Sequence, residues 1–170
     1  KTTLAQLLPN ASERAKTHDD QAEPYVNFYE CQRKTIAQDM LTIASQSNFY
    51  PHNQSLHYFI IDEVDRLNKE QQMDLSGIMN KSNALFILTT NNPSLLDLGL
   101  TNRCVKIEMN AASAEKILPL AKQMLSGINV DLSDAELLNL IPTYQGSIRA
   151  IAHEIPAYAR KKLYEQLKAA

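Results

Sequence analysis

The segment Tyr58–Glu63 constrains the fold more than any other part of the chain. Its first four residues are apolar or aromatic, and two adjacent carboxylates, Asp62 and Glu63, end it. A short apolar run of this kind predicts a strand buried on both faces, as in a parallel sheet covered by helices. Ligands bind at the carboxyl ends of strands in such sheets, so the two acids predict a site there. The same residues also fit an ordinary acidic strand end beside a helix cap.

Strand and helix patterns alternate up to about Asn110, and only helical patterns follow. The strands are predicted at Tyr25–Tyr29, His57–Ile61, Ala84–Thr89 and Val105–Met109. The helices are predicted at Lys1–Leu8 (ending near Pro9), at Cys31–Ser45, from Asn68 with Gln71 at capping-box spacing, and at Ala114–Leu125, Ser133–Ile141, Ser147–Ile155 and Ala157–Lys168. We therefore predict an α/β fold with a parallel sheet in residues 1–110, followed by a small helical lid domain in residues 111–170.

Composition excludes several classes of protein. The chain has 170 residues, of which 44% are hydrophobic and 21% charged, so a folded core is expected and disorder is not. No apolar run reaches the roughly 20 residues of a membrane span, and no secretory signal opens the chain. Cys31 and Cys104 form neither a disulfide framework nor a metal motif, which predicts a reducing cytoplasmic or nuclear location. With a net charge of −2, nucleic-acid binding would need a local basic patch.

The first three residues, Lys1, Thr2 and Thr3, match the end of a phosphate-binding loop. In that loop, GxxxxGK followed by Ser or Thr supplies backbone amides, a Lys for the β- and γ-phosphates and a hydroxyl for Mg²⁺. The sequence begins at the Lys, so we expect the glycines to lie in residues upstream of it. A Lys-Thr pair at a helix start is common, and this one gains its meaning from the strand ending in Asp62 and Glu63 downstream.

Three further polar positions follow in order. Asn91 comes after the apolar run ALFIL, where an amide can orient an attacking water, although Asn-Asn-Pro is also ordinary turn chemistry. Arg103 precedes the last predicted strand, and Arg149 follows Gly146 in the first turn of a helix. An Arg at either place can stabilise phosphate charge, and each also fits a solvated surface position.

The order of these motifs resembles the AAA+ P-loop ATPases, most closely the clamp-loader group of replication factor C and the DNA polymerase III gamma subunit. Phe59–Glu63 matches the family's second motif, and Asn91 matches its sensor-1 Asn. The family's Ser-Arg-Cys reads Asn102-Arg103-Cys104 here, and Gly146–Arg149 matches the sensor-2 motif. The strand and glycines that precede the Lys in the family are not in this sequence. That strand is central in the family's sheet, so its absence would expose a strand edge.

The resemblance implies ATP and Mg²⁺ as cofactors and assigns roles to single residues. It implies an ATP site formed by Lys1, Thr2, Thr3, Asp62 and Arg149, with Thr2 and Asp62 also holding Mg²⁺, partly through water. It implies that Glu63 activates the lytic water, that Asn91 positions it, and that Arg103 reaches the ATP of an adjacent subunit. We expect Asp62, Glu63 and Asn91 to converge beside the amino end of the helix that starts at Lys1.

The implied function is an ATP-driven switch in a clamp-loader-like oligomer, with other AAA+ subunits, DNA and a sliding clamp as partners. Candidate DNA contacts are Arg33, Lys34, Arg160, Lys161 and Lys162, the last three of which also fit a solvated helix face. Two alternatives stay open: another AAA+ DNA machine, such as a helicase loader or transposition regulator, and a non-catalytic interaction subunit. We expect the isolated chain to hydrolyse ATP poorly, because Arg103 acts as an arginine finger on the ATP of an adjacent subunit and an isolated chain has no such neighbour.

Overall fold

The computed structural model describes residues 1–31, 36–128, 130 and 132–169. Its first elements are α1 (Thr2–Thr17), β1 (Val26–Glu30), α2 (Ile36–Gln46), β2 (His57–Asp62), α3 (Lys69–Ile78), β3 (Ala84–Leu88) and α4 (Leu98–Thr101). They are followed by α5 (Ala114–Leu125), α6 (Asp134–Leu140) and α7 (Ile148–Ala169). One-turn 3-10 helices lie at Val64–Arg66, Pro93–Leu95 and Ile141–Tyr144.

The chain forms two compact units, which we name unit 1 (residues 1–107) and unit 2 (residues 108–170). Unit 1 contains a sheet with helices around it, and the described elements of unit 2 are helical. The predicted mixed α/β fold with a parallel sheet is confirmed at this level. Across the described ranges, the helices are too short or too polar to cross a bilayer.

The sheet of unit 1 has three parallel strands in the order β1-β2-β3. β2 lies in the centre, and its residues Tyr58–Ile61 are at most 1% exposed. A central strand is covered by helices on both faces, which is why its sequence is a continuous apolar run. The Phe59 ring packs against Phe86 of β3 with centroids 5.2 Å apart. The strand predictions at Tyr25–Tyr29, His57–Ile61 and Ala84–Thr89 are confirmed to within one residue at each end.

Helix α3 begins at the capping box that the sequence predicted. The Asn68 side chain accepts a hydrogen bond from Gln71 N (2.9 Å), and Gln71 Oε1 accepts one from Asn68 N (3.0 Å). The pair satisfies two of the backbone donors that a helix start leaves open. The start of α3 is therefore fixed by local sequence, three residues after the short 3-10 turn that follows β2.

Helix α1 does not stop near Pro9 as predicted, but continues to Thr17, where His18 ends it in a left-handed conformation. An interior Pro removes one helical hydrogen bond and costs about 3 kcal/mol. Tertiary contacts beyond it offset that cost, because Glu13 is buried and accepts hydrogen bonds from Tyr58 Oη (2.6 Å) and Ser55 N (2.6 Å). These contacts hold the second half of α1 against the start of β2.

The predicted strand Val105–Met109 is wrong, since these residues are not in any secondary-structure element. A strand needs a hydrogen-bonding neighbour, and in the described part of the chain none pairs with this segment. Val105 is 91% exposed and Ile107 is 66% exposed, so their apolar side chains also lack a surface to cover.

Unit 2 packs its helices around a core that includes Leu137, Ile151 and Ile155, each fully buried. The sequence predicted two helices with a break before Ala157, but α7 is one helix of 22 residues with Pro156 inside it. Buried residues on both sides of the proline, Ile155 and Ala159, pack into the same core. This packing favours continuation over a break.

Candidate functional site

The strand register brings the carboxyl ends of the three strands to one edge of the sheet. Glu30 pairs with Asp62, and Ile61 pairs with Leu88. Asp62 follows the buried residues Tyr58–Ile61 of β2 and is itself partly exposed. Its carboxylate therefore stands at the edge where ligands bind in parallel sheets.

Thr89, the residue after β3, ties this edge together. Its backbone N–H donates to Ile61 O (3.1 Å), which extends the β2–β3 ladder by one residue. Its hydroxyl donates a short hydrogen bond to Asp62 Oδ1 and accepts one from Glu63 N (3.2 Å). Thr89 thus fixes the Asp62 side chain and the backbone that follows it. Its place after an apolar run is the only feature of the sequence that points to this role.

The amino end of α1 meets this carboxylate. Thr2 Oγ1 lies 3.2 Å from Asp62 Oδ1 and 3.1 Å from Asp62 Oδ2. Lys1 Nζ donates to the carbonyl oxygen of Thr90 (2.7 Å) and to Asn91 Oδ1 (2.9 Å). The structure therefore brings together Lys1, Thr2, Asp62 and Asn91, four of the residues that the sequence singled out. Thr3, one position further along α1, is exposed.

Glu63, the residue after β2, has a strained backbone conformation. Its φ of 59° places it in the left-handed region, which costs a non-glycine residue about 1–2 kcal/mol. Its Oε2 atom is buried and lies 2.8 Å from Arg66 Nε, whose N–H is not aligned for a hydrogen bond. Strain of this kind persists where surrounding contacts enforce it, and here Thr89 holds Glu63 N.

The Cys31 thiol lies beside this edge, and its pKa is raised there. Cys31 N donates to Asp62 O (3.1 Å), and the side chain of Cys31 is buried. Burial, together with the negative charge of Asp62, raises the pKa of the Cys31 thiol to about 12. A thiol with this pKa is unreactive at neutral pH, since the thiolate is the nucleophile. Cys31 is therefore a packing residue beside the site.

Arg103 is anchored within unit 1, by hydrogen bonds to Asn80 and Gly99. Its Nε donates to Asn80 Oδ1 (3.0 Å), and its Nη1 donates to Gly99 O (2.7 Å). The side chain is exposed. An Arg has five N–H donors, so the anchored guanidinium retains donors for another group. Its action on an adjacent subunit stays a prediction.

The sensor-2 candidate lies in unit 2. Arg149 is exposed in the first turn of α7, and Gly146 precedes that helix with a φ of 73°. A Cβ at Gly146 would overlap the Ala111 side chain, so packing alone requires glycine there. The role of Arg149 toward a nucleotide stays a prediction.

The basic residues proposed for DNA have different surroundings. In unit 2, Lys162 forms a short ion pair with Glu136, and Lys161 lies 4.0 Å from Glu165, while Arg160 is exposed. Hydrogen bonding to Lys162 lowers the pKa of Glu136 to about 2. Arg33 and Lys34 fall outside the described residues.

The side chains at the sheet edge fit a nucleotide with Mg²⁺. The described residues hold no cluster of three His, Cys, Asp or Glu side chains, so a metal here would rest on few protein ligands. Mg²⁺ is commonly bound in this way, by one or two oxygen ligands with water and substrate phosphates completing the shell. Asp62 and Thr2 supply such oxygens. Lys1 and the backbone N–H groups at the amino end of α1 are the positively charged or donor groups here that a phosphate could bind.

Comparison with known proteins identifies a solved structure with a similar fold. No protein-family model matches the chain. A stretch of 97 residues, 56% of this chain and 16% of the relative, is 27% identical to an uncharacterized protein of Thermotoga maritima. The crystal structure of a DNA polymerase III gamma subunit-related protein from Thermotoga maritima matches 99% of this chain with a TM-score of 0.62 and 16% identity. This chain spans 52% of that one. It therefore has the fold of about half of a DNA polymerase III gamma subunit-related protein.

Proposed function

We propose that this chain is the nucleotide-switching part of a clamp-loader-like AAA+ ATPase. The observation that carries the proposal is the contact of Thr2 with Asp62, at 3.1 and 3.2 Å, beside the contact of Lys1 with Asn91. An ammonium, a hydroxyl, a carboxylate and an amide meet at one end of a parallel sheet and at the amino end of a helix. This is the set of groups that phosphate, Mg²⁺ and an attacking water require.

Each residue has one task in this proposal. Lys1 neutralises charge on the β- and γ-phosphates, and Thr2 with Asp62 holds Mg²⁺. When bound, the metal would stabilise the negative charge that develops on the phosphate oxygens. Asn91 orients the attacking water, and Glu63 accepts its proton.

The remaining assignments concern neighbouring molecules. Arg103 reaches the nucleotide of an adjacent subunit, and Arg149 keeps the sensor-2 role that the resemblance implies for it. DNA and a sliding clamp are the partners that nucleotide binding controls. The fold shared with a DNA polymerase III gamma subunit-related protein supports this choice over a helicase loader or a transposition regulator.

A second candidate function is a non-catalytic subunit that binds nucleotide without turning it over. The observation that favours it is the Arg66 guanidinium 2.8 Å from the buried Oε2 of Glu63. The ion pair with Arg66 occupies the Glu63 carboxylate, which hinders that carboxylate from contacting an attacking water. Turnover by the unsubstituted protein that is lost in Glu63→Gln supports the catalytic function, and nucleotide binding without turnover supports the non-catalytic one. Turnover that appears only in Arg66→Ala would show that this ion pair prevents Glu63 from acting as the base.

The test is Glu63→Gln in the chain together with its natural flanking sequence, with Glu70→Gln on the exposed start of α3 as the matched control. We expect Glu63→Gln to keep the ATP affinity and to lower hydrolysis by about 10²-fold or more, since a general base contributes on that order. The control should retain both. Normal turnover in Glu63→Gln would show that the base is another residue.

A further inference from the structure

One carboxylate holds the segment that carries Asn91. Asp65 lies in the 3-10 turn after β2, three residues beyond Asp62. Its Oδ1 accepts a hydrogen bond from Thr90 Oγ1 (2.8 Å), and its Oδ2 accepts one from Asn92 Nδ2 (2.8 Å). A longer contact joins Asn91 N to Oδ1 (3.4 Å). Asp65 thus contacts three consecutive residues beyond β3.

The held segment is the one that meets Lys1. The Thr90 carbonyl oxygen and Asn91 Oδ1 accept the two hydrogen bonds of Lys1 Nζ, at 2.7 and 2.9 Å. The Thr90 hydroxyl also accepts a hydrogen bond from Asn92 N (2.9 Å), which closes the turn on itself. The contacts therefore run from Asp65 through Thr90 and Asn91 to Lys1.

The charge of Asp65 strengthens this arrangement. Partial burial raises the pKa of Asp65, but the hydrogen bonds from Asn92 and Thr90 outweigh burial, so the pKa lies below its ordinary value. The side chain is then a carboxylate at neutral pH. Hydrogen bonds to a charged acceptor are roughly twice as strong as those between neutral groups.

We propose that Asp65 is the positioning residue that holds the Thr90–Asn92 segment so that Asn91 Oδ1 and the Thr90 carbonyl face Lys1. The proposal deepens the function proposed above and rests on it. Asp65 itself touches neither phosphate nor water in this account. It acts by fixing the amide of Asn91, and a misplaced amide orients an attacking water poorly.

A simpler account assigns Asp65 no part in positioning. The turn at Thr90–Asn92 has its own internal hydrogen bond and is followed by Pro93, which fixes the backbone φ. If these local features suffice, removing the carboxylate leaves the segment in place. The two accounts predict opposite results for an isosteric change at Asp65.

The test is Asp65→Asn, with Asp74→Asn on the exposed face of α3 as the matched control. An Asn side chain has one acceptor oxygen, so it cannot accept from both Thr90 and Asn92 through two oxygens. The first readout is amide hydrogen exchange of Asn91 and Asn92 by NMR, which needs no nucleotide. We expect exchange at least several-fold faster in Asp65→Asn and unchanged in the control. Unchanged exchange in Asp65→Asn overturns the proposal.

The second readout is ATP hydrolysis in the chain with its natural flanking sequence. We expect Asp65→Asn to lower kcat with the ATP affinity retained, and to cause no further loss in an Asn91→Ala background. A loss of the same size in that background overturns the positioning role, as does an unchanged kcat with faster exchange. If the unsubstituted protein neither binds nor hydrolyses ATP, the proposed function fails, and the exchange result alone then decides whether Asp65 holds the segment.

Discussion

Lys1 Nζ lies 2.9 Å from Asn91 Oδ1, although the two residues are 90 positions apart in the sequence. The contact joins the amino end of α1 to the segment beyond β3, while Thr2 contacts Asp62 at the end of β2. Three separate stretches of chain therefore supply one set of polar groups. A site built in this way depends on the strand register and on the placement of α1, and its predicted properties can be tested at each point.

Removal of the Arg103 side chain should affect the neighbouring subunit. We expect Arg103→Ala to leave ATP binding by its own subunit unchanged and to lower hydrolysis in the adjacent one by about 10³-fold or more, the usual contribution of such a finger. The measurement is ATP hydrolysis by oligomers mixed from Arg103→Ala and unsubstituted subunits. Lys69→Ala on the exposed start of α3 removes the same charge and serves as the control. A defect confined to the substituted subunit's own nucleotide would contradict action in trans.

The Tyr58–Glu13 hydrogen bond should stabilise unit 1. Tyr58 is fully buried, its hydroxyl donates to Glu13 Oε2 (2.6 Å), and burial with that contact raises its pKa to about 12, so it stays a donor. Tyr58→Phe leaves a buried carboxylate oxygen without this donor and should lower the free energy of unfolding by about 1–3 kcal/mol. Urea unfolding measures the change. Tyr50→Phe, at an 82% exposed position, should change nothing, and equal effects of the two substitutions would contradict the prediction.

The Glu136–Lys162 pair should make unit 2 sensitive to acid. The pKa of Glu136 is lowered from 4.5 to about 2, chiefly by its hydrogen bond with Lys162. A carboxyl with a depressed pKa stabilises the folded state above its ordinary pKa, and that stability is lost as the pH falls toward the folded value. The thermal midpoint of Glu136→Gln should therefore lie below that of the unsubstituted protein at pH 7. The difference between the two thermal midpoints should narrow between about pH 4.5 and pH 2.

The control for this pH dependence is Glu165→Gln, whose partner Lys161 lies 4.0 Å away on an exposed face. Its midpoint should follow the unsubstituted protein at every pH. If the difference in thermal midpoint between Glu136→Gln and the unsubstituted protein stays constant from pH 7 to pH 2, the ion pair is not the cause of the lower stability of Glu136→Gln.

The sequence predicts those parts of the fold that depend on neighbouring residues. The short apolar run Tyr58–Ile61 indicates the central strand, because a strand covered on both faces has a continuous apolar sequence. The start of α3 follows from the capping box of Asn68 and Gln71. Where a distant contact decides, the prediction fails: α1 passes through Pro9 because Glu13 is held beyond it.

The residues of the candidate site also form two groups: those that the sequence indicates and those whose roles require the structure. Lys1, Asp62 and Asn91 stand at positions that strand ends and a helix start predict, so residue order alone indicates them. Thr89 and Asp65 act through the β2–β3 register, in which Ile61 lies opposite Leu88. Local sequence does not specify that register, and a Thr or Asp in a turn has many ordinary uses. Their roles could therefore be seen only with the strands in place.

The effect of Mg²⁺ on ATP affinity shows directly whether Thr2 and Asp62 hold the metal ion. Isothermal titration of the chain with its natural flanking sequence gives the Kd for ATP with and without Mg²⁺. We expect Thr2→Val and Asp62→Asn each to abolish most of the increase, with Asp20→Asn, at an exposed position, leaving it intact. Because both residues hold the same ion, the double substitution should lose little more than either single one. An increase in ATP affinity with Mg²⁺ that is equal in all four variants and in the unsubstituted chain would show that Thr2 and Asp62 do not hold the ion.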